Sequence, residues 1–127
     1  MHRLRTVTYL KGEELKGISS EDRVEVALIR LCKHGLIYRY YRSVAFGDLD
    51  SLGADFLIWS TFKRHHLLQV KSSEEGKAYH KIKHGDGIPC VVADKSLSTV
   101  DVARKILQEL ELDASVFEKL VENMQFI

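Results

Sequence analysis

The chain has 127 residues, of which 45% are hydrophobic and 29% charged, a length and balance that fit one globular domain. A single proline excludes a proline-rich disordered chain, and no apolar run approaches the roughly 20 residues of a membrane helix. The net charge of +1 excludes a strong overall positive field, and the charged start without an apolar stretch predicts a cytoplasmic protein.

The first predicted elements are a short strand and a well-marked helix. Residues 7–10 are strand-like. Ser19 followed three residues later by Asp22 is typical of a helix start, and Gly35 is typical of a helix end. Between them, apolar residues recur at helical spacing: Val24, Ala27, Leu28, Leu31 and Cys32.

Four further segments are rich in branched and aromatic residues and are predicted to be strands: 36–41, 54–60, 67–70 and 88–93. The second and third are separated by the basic turn 63–66, which predicts a hairpin. Asp48 and Asp50 belong to the loop before that hairpin. The polar segment 72–87 is predicted to hold a short helix before the fourth strand, which has a proline in its first residues.

Two helices are predicted in the last thirty residues. Ser98 or Thr99 begins one that runs to about Leu110, and Asp113 begins the other. The residues of the last helix predicted to point inward are Val116, Phe117, Leu120, Val121 and Met124.

The order of these elements predicts an α/β fold, a central mixed sheet of four to five strands flanked by helices. We expect a single domain over residues 1–127, with a core at 19–94 and C-terminal helices within 98–125. Both cysteines, Cys32 and Cys90, lie in apolar runs and are predicted to be buried free thiols.

One group of polar residues stands out at the predicted hairpin. Asp55 opens its first strand, and Gln69 and Lys71 lie near the end of its second. Side chains alternate along a strand, so Gln69 and Lys71 share one face, and Asp55 lies close to Lys71 across the hairpin.

An acid, an amide oxygen and an ammonium at one place suit phosphodiester cleavage. A carboxylate and a second oxygen ligand can hold Mg²⁺, which lowers the pKa of a bound water and offsets charge on the phosphate. Lys71 would orient the attacking water and offset charge in the transition state.

The hairpin segments 53–58 (GADFLI) and 67–73 (LLQVKSS) resemble the active-site hairpin of the PD-(D/E)XK nucleases. Within that superfamily the chain is most similar to the archaeal Holliday-junction resolvases. Segment 24–35 resembles their first helix, 38–43 (YRYYRS) their arginine-serine strand end, and 85–92 (GDGIPCVV) their entry into the fourth strand.

The resemblance implies a restriction-endonuclease-like fold and a homodimer that cuts branched DNA, leaving a 5′-phosphate. It implies catalytic roles for Glu25, Asp55, Gln69 and Lys71, with Asp55, Gln69 and Glu25 holding Mg²⁺, for which Mn²⁺ substitutes. Glu21 lies one turn from Glu25. Glu25 is preferred because its apolar neighbours place it at the boundary of the core.

The chain departs from the family pattern at three points. Gln69 stands where an acid is expected, a form that Mrr-like nucleases also carry. Ala54 replaces the proline of the motif, and the segment between Lys71 and Gly87 is shorter than the resolvases' helix there.

Two sets of residues are predicted to contact DNA phosphates: Lys77, Lys81 and Lys83 on one side of the hairpin, and Arg39, Arg42 and Ser43 on the other. The alternative is that the basic residues of segment 77–84 only form a face exposed to solvent. His80 and His84, four residues apart, could bind zinc only with a third ligand.

The sequence therefore predicts a Mg²⁺-dependent DNA endonuclease that resembles the junction resolvases. The alternatives are a restriction-type or single-strand-processing nuclease of the same superfamily, and an inactive DNA-binding module. The last follows from Gln69, which removes one negative charge from the metal site.

Overall fold

The computed structural model describes residues 19–44, 47, 53–85 and 87–127, apart from the side chain of His84. The predicted strand at 7–10 and the loop acids Asp48 and Asp50 lie outside these residues. The helices and strands, in chain order, are α1 (Ser20–Lys33), β1 (Arg39–Arg42), β2 (Phe56–Trp59), β3 (His65–Lys71), α2 (Glu74–His84), β4 (Cys90–Val92), α3 (Thr99–Glu109) and α4 (Ser115–Glu122). This is an α/β fold, as predicted.

Helix α1 has the boundaries that its end signals predict. The Ser19 hydroxyl accepts a hydrogen bond from the Asp22 backbone N–H at 3.2 Å, which satisfies one of the unpaired donors of the first turn. At the other end Gly35 adopts a left-handed φ of 71°, and the Leu36 N–H donates to the Leu31 carbonyl. The cap therefore fixes where the helix starts, which determines the positions of the acids in its first turn.

The strands form one mixed sheet in the order β1-β2-β3-β4. Strands β1, β2 and β3 are antiparallel neighbours, with Phe56 opposite both Arg42 and Leu68. Strand β4 runs parallel to β3, which requires the chain to cross over through α2. The predicted hairpin is confirmed, but β1 begins later than expected and β3 begins earlier, so His65 and His66 belong to the strand.

The core lies between one face of the sheet and helices α1 and α3. Alternate strand residues face it, including Phe56 and Ile58 on β2 and Leu68 on β3, all fully buried. Helix α2 contacts β3 and β4 and shares a surface pocket with the buried Cys90. Helices therefore flank the sheet, as predicted.

Predictions for the C-terminal helices are confirmed for α3 and partly wrong for α4. Ser98 and Asp101 form a reciprocal capping box at the start of α3. Val116 and Met124, predicted to point inward, are 58% and 87% exposed. Helix α4 ends at Glu122 and Met124 turns the chain with a φ of 57°, which buries Phe126 instead, edge-on to Phe117.

Both cysteines are free thiols, as predicted, with Cys90 buried and Cys32 partly so. Burial raises the pKa of the Cys32 thiol to about 11, so it stays protonated at neutral pH. Across the part of the chain that the structure describes, no helix is both long and apolar enough to cross a bilayer.

Candidate active site

The candidate site is built around Asp55, the residue immediately before β2. Gly53 adopts a φ of 80°, a left-handed turn that leads the chain into the strand. The Asp55 backbone N–H donates to the Leu68 carbonyl, and its carbonyl accepts from the Ser43 N–H, each at 2.8 Å. Asp55 is thus held by hydrogen bonds to the chains of both neighbouring strands, so its side chain starts from a fixed position.

The carboxyl group of Asp55 is partly buried and has one occupied oxygen. Its Oδ2 accepts a hydrogen bond from the Val70 backbone N–H at 2.8 Å. Burial raises the pKa of Asp55 to about 6, and the negative charge of Glu21 adds to the rise. The Val70 hydrogen bond and the cations Lys71 and Arg42 act in the opposite direction. A second acid and a lysine therefore act electrostatically on this carboxyl.

Gln69 and Lys71 lie on β3 as the alternation predicts. Val70 between them is buried, while both flanking residues are partly exposed on the opposite face. The Gln69 N–H donates to the Pro89 carbonyl, and the Lys71 carbonyl accepts from the Ala93 N–H. Both residues are thus tied by their backbones to the residues that flank β4.

The Lys71 side chain is in van der Waals contact range of α2. A Cβ added at Gly76 would lie 3.4 Å from Lys71 Cβ and 3.5 Å from Lys71 Cδ. These are ordinary van der Waals distances, so the stem of Lys71 lies alongside the first turn of α2.

Glu25 does not have the environment expected of a metal ligand. It is fully buried, Oε1 accepts from Arg42 Nη1 at 2.8 Å, and Oε2 accepts from the Tyr40 hydroxyl at 2.8 Å. A ligand needs an oxygen that an ion can reach. Both carboxylate oxygens of Glu25 therefore already have protein partners, the buried Arg42 and the partly buried Tyr40, and its role as a metal ligand stays a prediction.

Glu21, the alternative acid one turn earlier, has the more open position. Its side chain is 42% exposed, and its Oε1 lies 3.4 Å from Arg42 Nη2. It is also the acid whose charge raises the pKa of Asp55. The first turn of α1 therefore brings Glu21, rather than Glu25, into the electrostatic surroundings of Asp55.

A cleft of about 610 Å³ opens next to these residues, between the start of α1 and the ends of β3 and β4. Glu21 and Lys71 both line it, together with Val70, whose N–H binds the Asp55 carboxyl. Asp94, just after β4, lines the same cleft. The cleft is large enough for a phosphate group and its surrounding water.

The predicted DNA contacts have different environments. Arg42 is 7% exposed and its guanidinium binds Asp22 and Glu25, so a phosphate would have to compete with these two carboxylates for it. Lys77 Nζ lies 2.6 Å from Glu109 Oε1. A phosphate would have to compete with that carboxylate for Lys77.

The other predicted contacts are Arg39, Lys81 and Lys83, which are exposed, and Ser43, which is partly buried. Ser43 donates its backbone N–H to Asp55, so it supports the candidate site directly. Arg39 lies at the opposite end of β1 from Ser43.

The donor set fits Mg²⁺ better than zinc. Among the described residues, no three His, Cys, Asp or Glu side chains are grouped so that they could hold a metal. His80 is buried with Nε2 at 3.4 Å from the Ile88 carbonyl. Mg²⁺ keeps several waters and takes only one or two carboxylates, and Asp55 Oδ1 and Glu21 can supply these, with Gln69 as a neutral oxygen donor.

Comparison with known proteins gives no relative: no family model, curated protein or solved structure matches the chain.

Proposed function

We propose that this protein is a Mg²⁺-dependent endodeoxyribonuclease of the restriction-endonuclease-like class. The observation that carries the proposal is the cleft at the end of the hairpin, which is lined by Glu21, Lys71 and Val70, the residue whose backbone N–H binds the Asp55 carboxyl. Glu21 and Lys71 also act electrostatically on Asp55, and two carboxylates with an ammonium suit the hydrolysis of a phosphodiester. The resemblance of segments 53–58 and 67–73 to the PD-(D/E)XK hairpin supports the same class.

Each residue has a distinct task in this proposal. Asp55 and Glu21 provide the negative charge that attracts the ion, and Gln69 adds an uncharged oxygen. Bound Mg²⁺ supplies water activation and charge neutralisation at the phosphate. Lys71 orients the attacking water and offsets negative charge as it develops on the phosphate oxygens. Arg42 holds Glu21 in place while it neutralises the buried Glu25.

The experiment measures the rate at which the protein nicks supercoiled plasmid DNA in Mg²⁺, in Mn²⁺, and in a chelator that removes divalent metal. We expect cleavage that requires the metal and falls by about 10²-fold or more in Asp55→Asn and in Lys71→Ala. Lys119→Ala, which removes an exposed lysine of α4, is the control and should cleave like the wild type. Wild-type rates in the Lys71 variant would overturn the assignment of this site.

Two further measurements define the substrate and the assembly. Competition between a four-way junction and linear duplex tests the preference for branched DNA that the resemblance to the junction resolvases implies. Solution mass tests the homodimer, which paired cuts in a junction require. DNA binding without cleavage in either metal would favour the inactive binding module, since Gln69 weakens attraction for the ion.

A further inference from the structure

A second group of side chains lies at the opposite end of the same three strands. We define the aromatic-cationic patch as Tyr38, Arg39, Trp59, Lys63 and His65. Arg39 and Trp59 are opposite each other on β1 and β2, and Trp59 is opposite His65 on β3. These three residues therefore form one row across the sheet, on the face that also carries Gln69 and Lys71 of β3.

The rings and cations of this patch are already stacked. The Arg39 guanidinium carbon lies 4.4 Å from the centre of the Trp59 ring, and His65 meets that ring edge-on at 5.4 Å. Tyr38 is 53% exposed, with Lys63 Nζ 5.2 Å from its ring centre. The Arg39 guanidinium carbon also lies 5.9 Å from the centre of the Tyr38 ring, so this cation contacts both rings. The edge N–H groups of a guanidinium held in this way can still bind a ligand.

The patch has no acidic counterpart close to it in sequence. Residues 36–47 and 56–73 contain no Asp or Glu, although they contain Arg39, Lys63 and Arg64. Among the described residues, Arg39 and Lys63 have no salt bridge. Burial lowers the pKa of nearby His66, and the positive charges of Arg64 and His65 lower it further. In the part of the chain that the structure describes, the cations Arg39 and Lys63 are therefore not paired with a carboxylate.

We propose that the aromatic-cationic patch binds unpaired nucleotides of single-stranded DNA. Bases have flat faces that stack on the exposed Tyr38 ring and against the Arg39 guanidinium, and Lys63 and His65 meet the phosphates. Duplex DNA keeps its bases stacked on each other and offers only phosphates to this patch. This proposal deepens the proposed nuclease function, because it names the substrate class as DNA with an unpaired segment. It rests on that function only in assuming that the bound strand is afterwards cut.

The position of the patch relates it to the candidate active site. Trp59 lies four positions after Asp55 in the chain, about 13 Å at ~3.3 Å per residue. Stacked nucleotides rise by about 3.4 Å each, so roughly four of them span that distance. A strand bound at the patch and lying along this face leads towards Lys71, which shares the face.

The test uses Trp59, the only tryptophan in the chain, as its own reporter. Its fluorescence is followed while an oligothymidylate of about twelve nucleotides, or its duplex with oligoadenylate, is added in chelator. We expect saturable quenching by the single strand, with affinity at least about 10-fold above that for the duplex. Because cleavage is blocked, the result does not depend on the nuclease activity.

Variants separate stacking from charge. Loss of one stacking contact should weaken binding by about 5- to 150-fold, so Tyr38→Ala and Arg39→Ala should both fall in that range. Arg39→Lys keeps the charge but not the planar group, and should lose most of the affinity as well. Tyr79→Ala, which removes an exposed tyrosine from α2, is the matched control and should bind like the wild type. Anisotropy of a labelled oligonucleotide measures all of these variants independently of Trp59.

Three results would overturn the proposal: no binding by the wild type, equal affinity for single strand and duplex, or wild-type affinity in Arg39→Lys with loss in Arg39→Ala. The last would identify a simple charge effect. Failure of the nuclease proposal looks different, since Asp55→Asn and the wild type would then bind the single strand equally and neither would cut DNA.

Discussion

Strand β1 begins and ends with arginine, and the two arginines have opposite environments. Arg42 is 7% exposed, and Glu25 and Asp22 bind its guanidinium. Arg39 is exposed, stacked on Trp59, and has no salt bridge among the described residues. They are three positions apart, so the alternation of a strand places them on opposite faces. One face meets the acidic first turn of α1, and the other carries aromatic rings.

The comparison shows that residue type alone does not assign a role to a cation. At the Asp55 end of the sheet, Arg42 is paired with Asp22 and Glu25, and Glu21 and Lys71 line one cleft. At the Trp59 end, Arg39 and Lys63 are exposed and have no salt bridge among the described residues. The arrangement at the Asp55 end suits control of the charge on one reacting carboxyl group. The arrangement at the Trp59 end suits attraction of a polyanion.

The largest expected difference between the two arginines is in stability. Arg42→Ala leaves the carboxylate of Glu25 fully buried without its cation, which should lower the free energy of unfolding by about 3–5 kcal/mol. Arg39→Ala loses one exposed cation–π contact and should cost only about 0.5–1 kcal/mol. Urea denaturation of both variants measures the difference.

A double variant sharpens that measurement. Arg42→Met combined with Glu25→Leu replaces the buried pair by apolar groups, and should recover most of the stability that Arg42→Ala loses. Equal losses in Arg42→Ala and Arg39→Ala would contradict the burial that separates the two arginines.

The next effect is on cleavage and distinguishes the two acids of α1. Glu21→Gln removes the open carboxylate near Asp55 and should reduce plasmid nicking by about 10- to 100-fold at fixed Mg²⁺. Glu25→Gln, measured at a temperature where circular dichroism shows it folded, should cut at close to the wild-type rate. The reverse order would make the buried Glu25 the acid that serves the metal.

Much of the fold is predictable because its signals are local. The Ser19 and Ser98 caps and the stop at Gly35 are confirmed, since each depends on residues within a few positions. The pairing of Asp55 with Val70 and the outward position of Lys71 follow from strand alternation and hairpin geometry. The prediction that Met124 points inward from α4 is wrong, because the helical spacing of apolar residues continues in the sequence beyond the residue at which the helix ends.

The roles within the site were less predictable because they depend on distant partners. The helical pattern correctly places Glu25 next to the core. Whether a buried acid binds a ligand or a counter-ion depends on Arg42, which is 17 residues away. The aromatic-cationic patch was missed for a similar reason, since only the strand register brings Arg39, Trp59 and His65 into one row. The sequence signal that could have indicated this patch is the lack of Asp and Glu in residues 36–47 and 56–73.

The smallest expected effect is a pH dependence that belongs to the Asp55 end alone. Burial raises the pKa of Asp55 from 3.8 to about 6, so the folded state holds this proton more tightly than the unfolded chain. Its contribution to stability therefore declines as pH rises from about 3.8 to 6 and is constant above that range. Asp55→Asn removes the cost and should be more stable than the wild type at pH 7.5, by about 1 kcal/mol after allowance for solvent screening.

Thermal unfolding of both proteins between pH 4 and 8 measures this effect, and the gap should close towards pH 4 because Asp55 becomes protonated and neutral, as the asparagine already is. Asp113→Asn is the control with the opposite sign, because hydrogen bonds from Ser115 lower the pKa of Asp113. The Asp113 carboxylate therefore stabilises the folded protein at neutral pH, and this contribution is lost in acid.

Mg²⁺ added at pH 7.5 should raise the melting temperature of the wild type but not of Asp55→Asn, because the ion binds the charged carboxylate. An equal rise of the melting temperature in both proteins would show that the ion binds elsewhere and that Asp55 does not take part in metal binding.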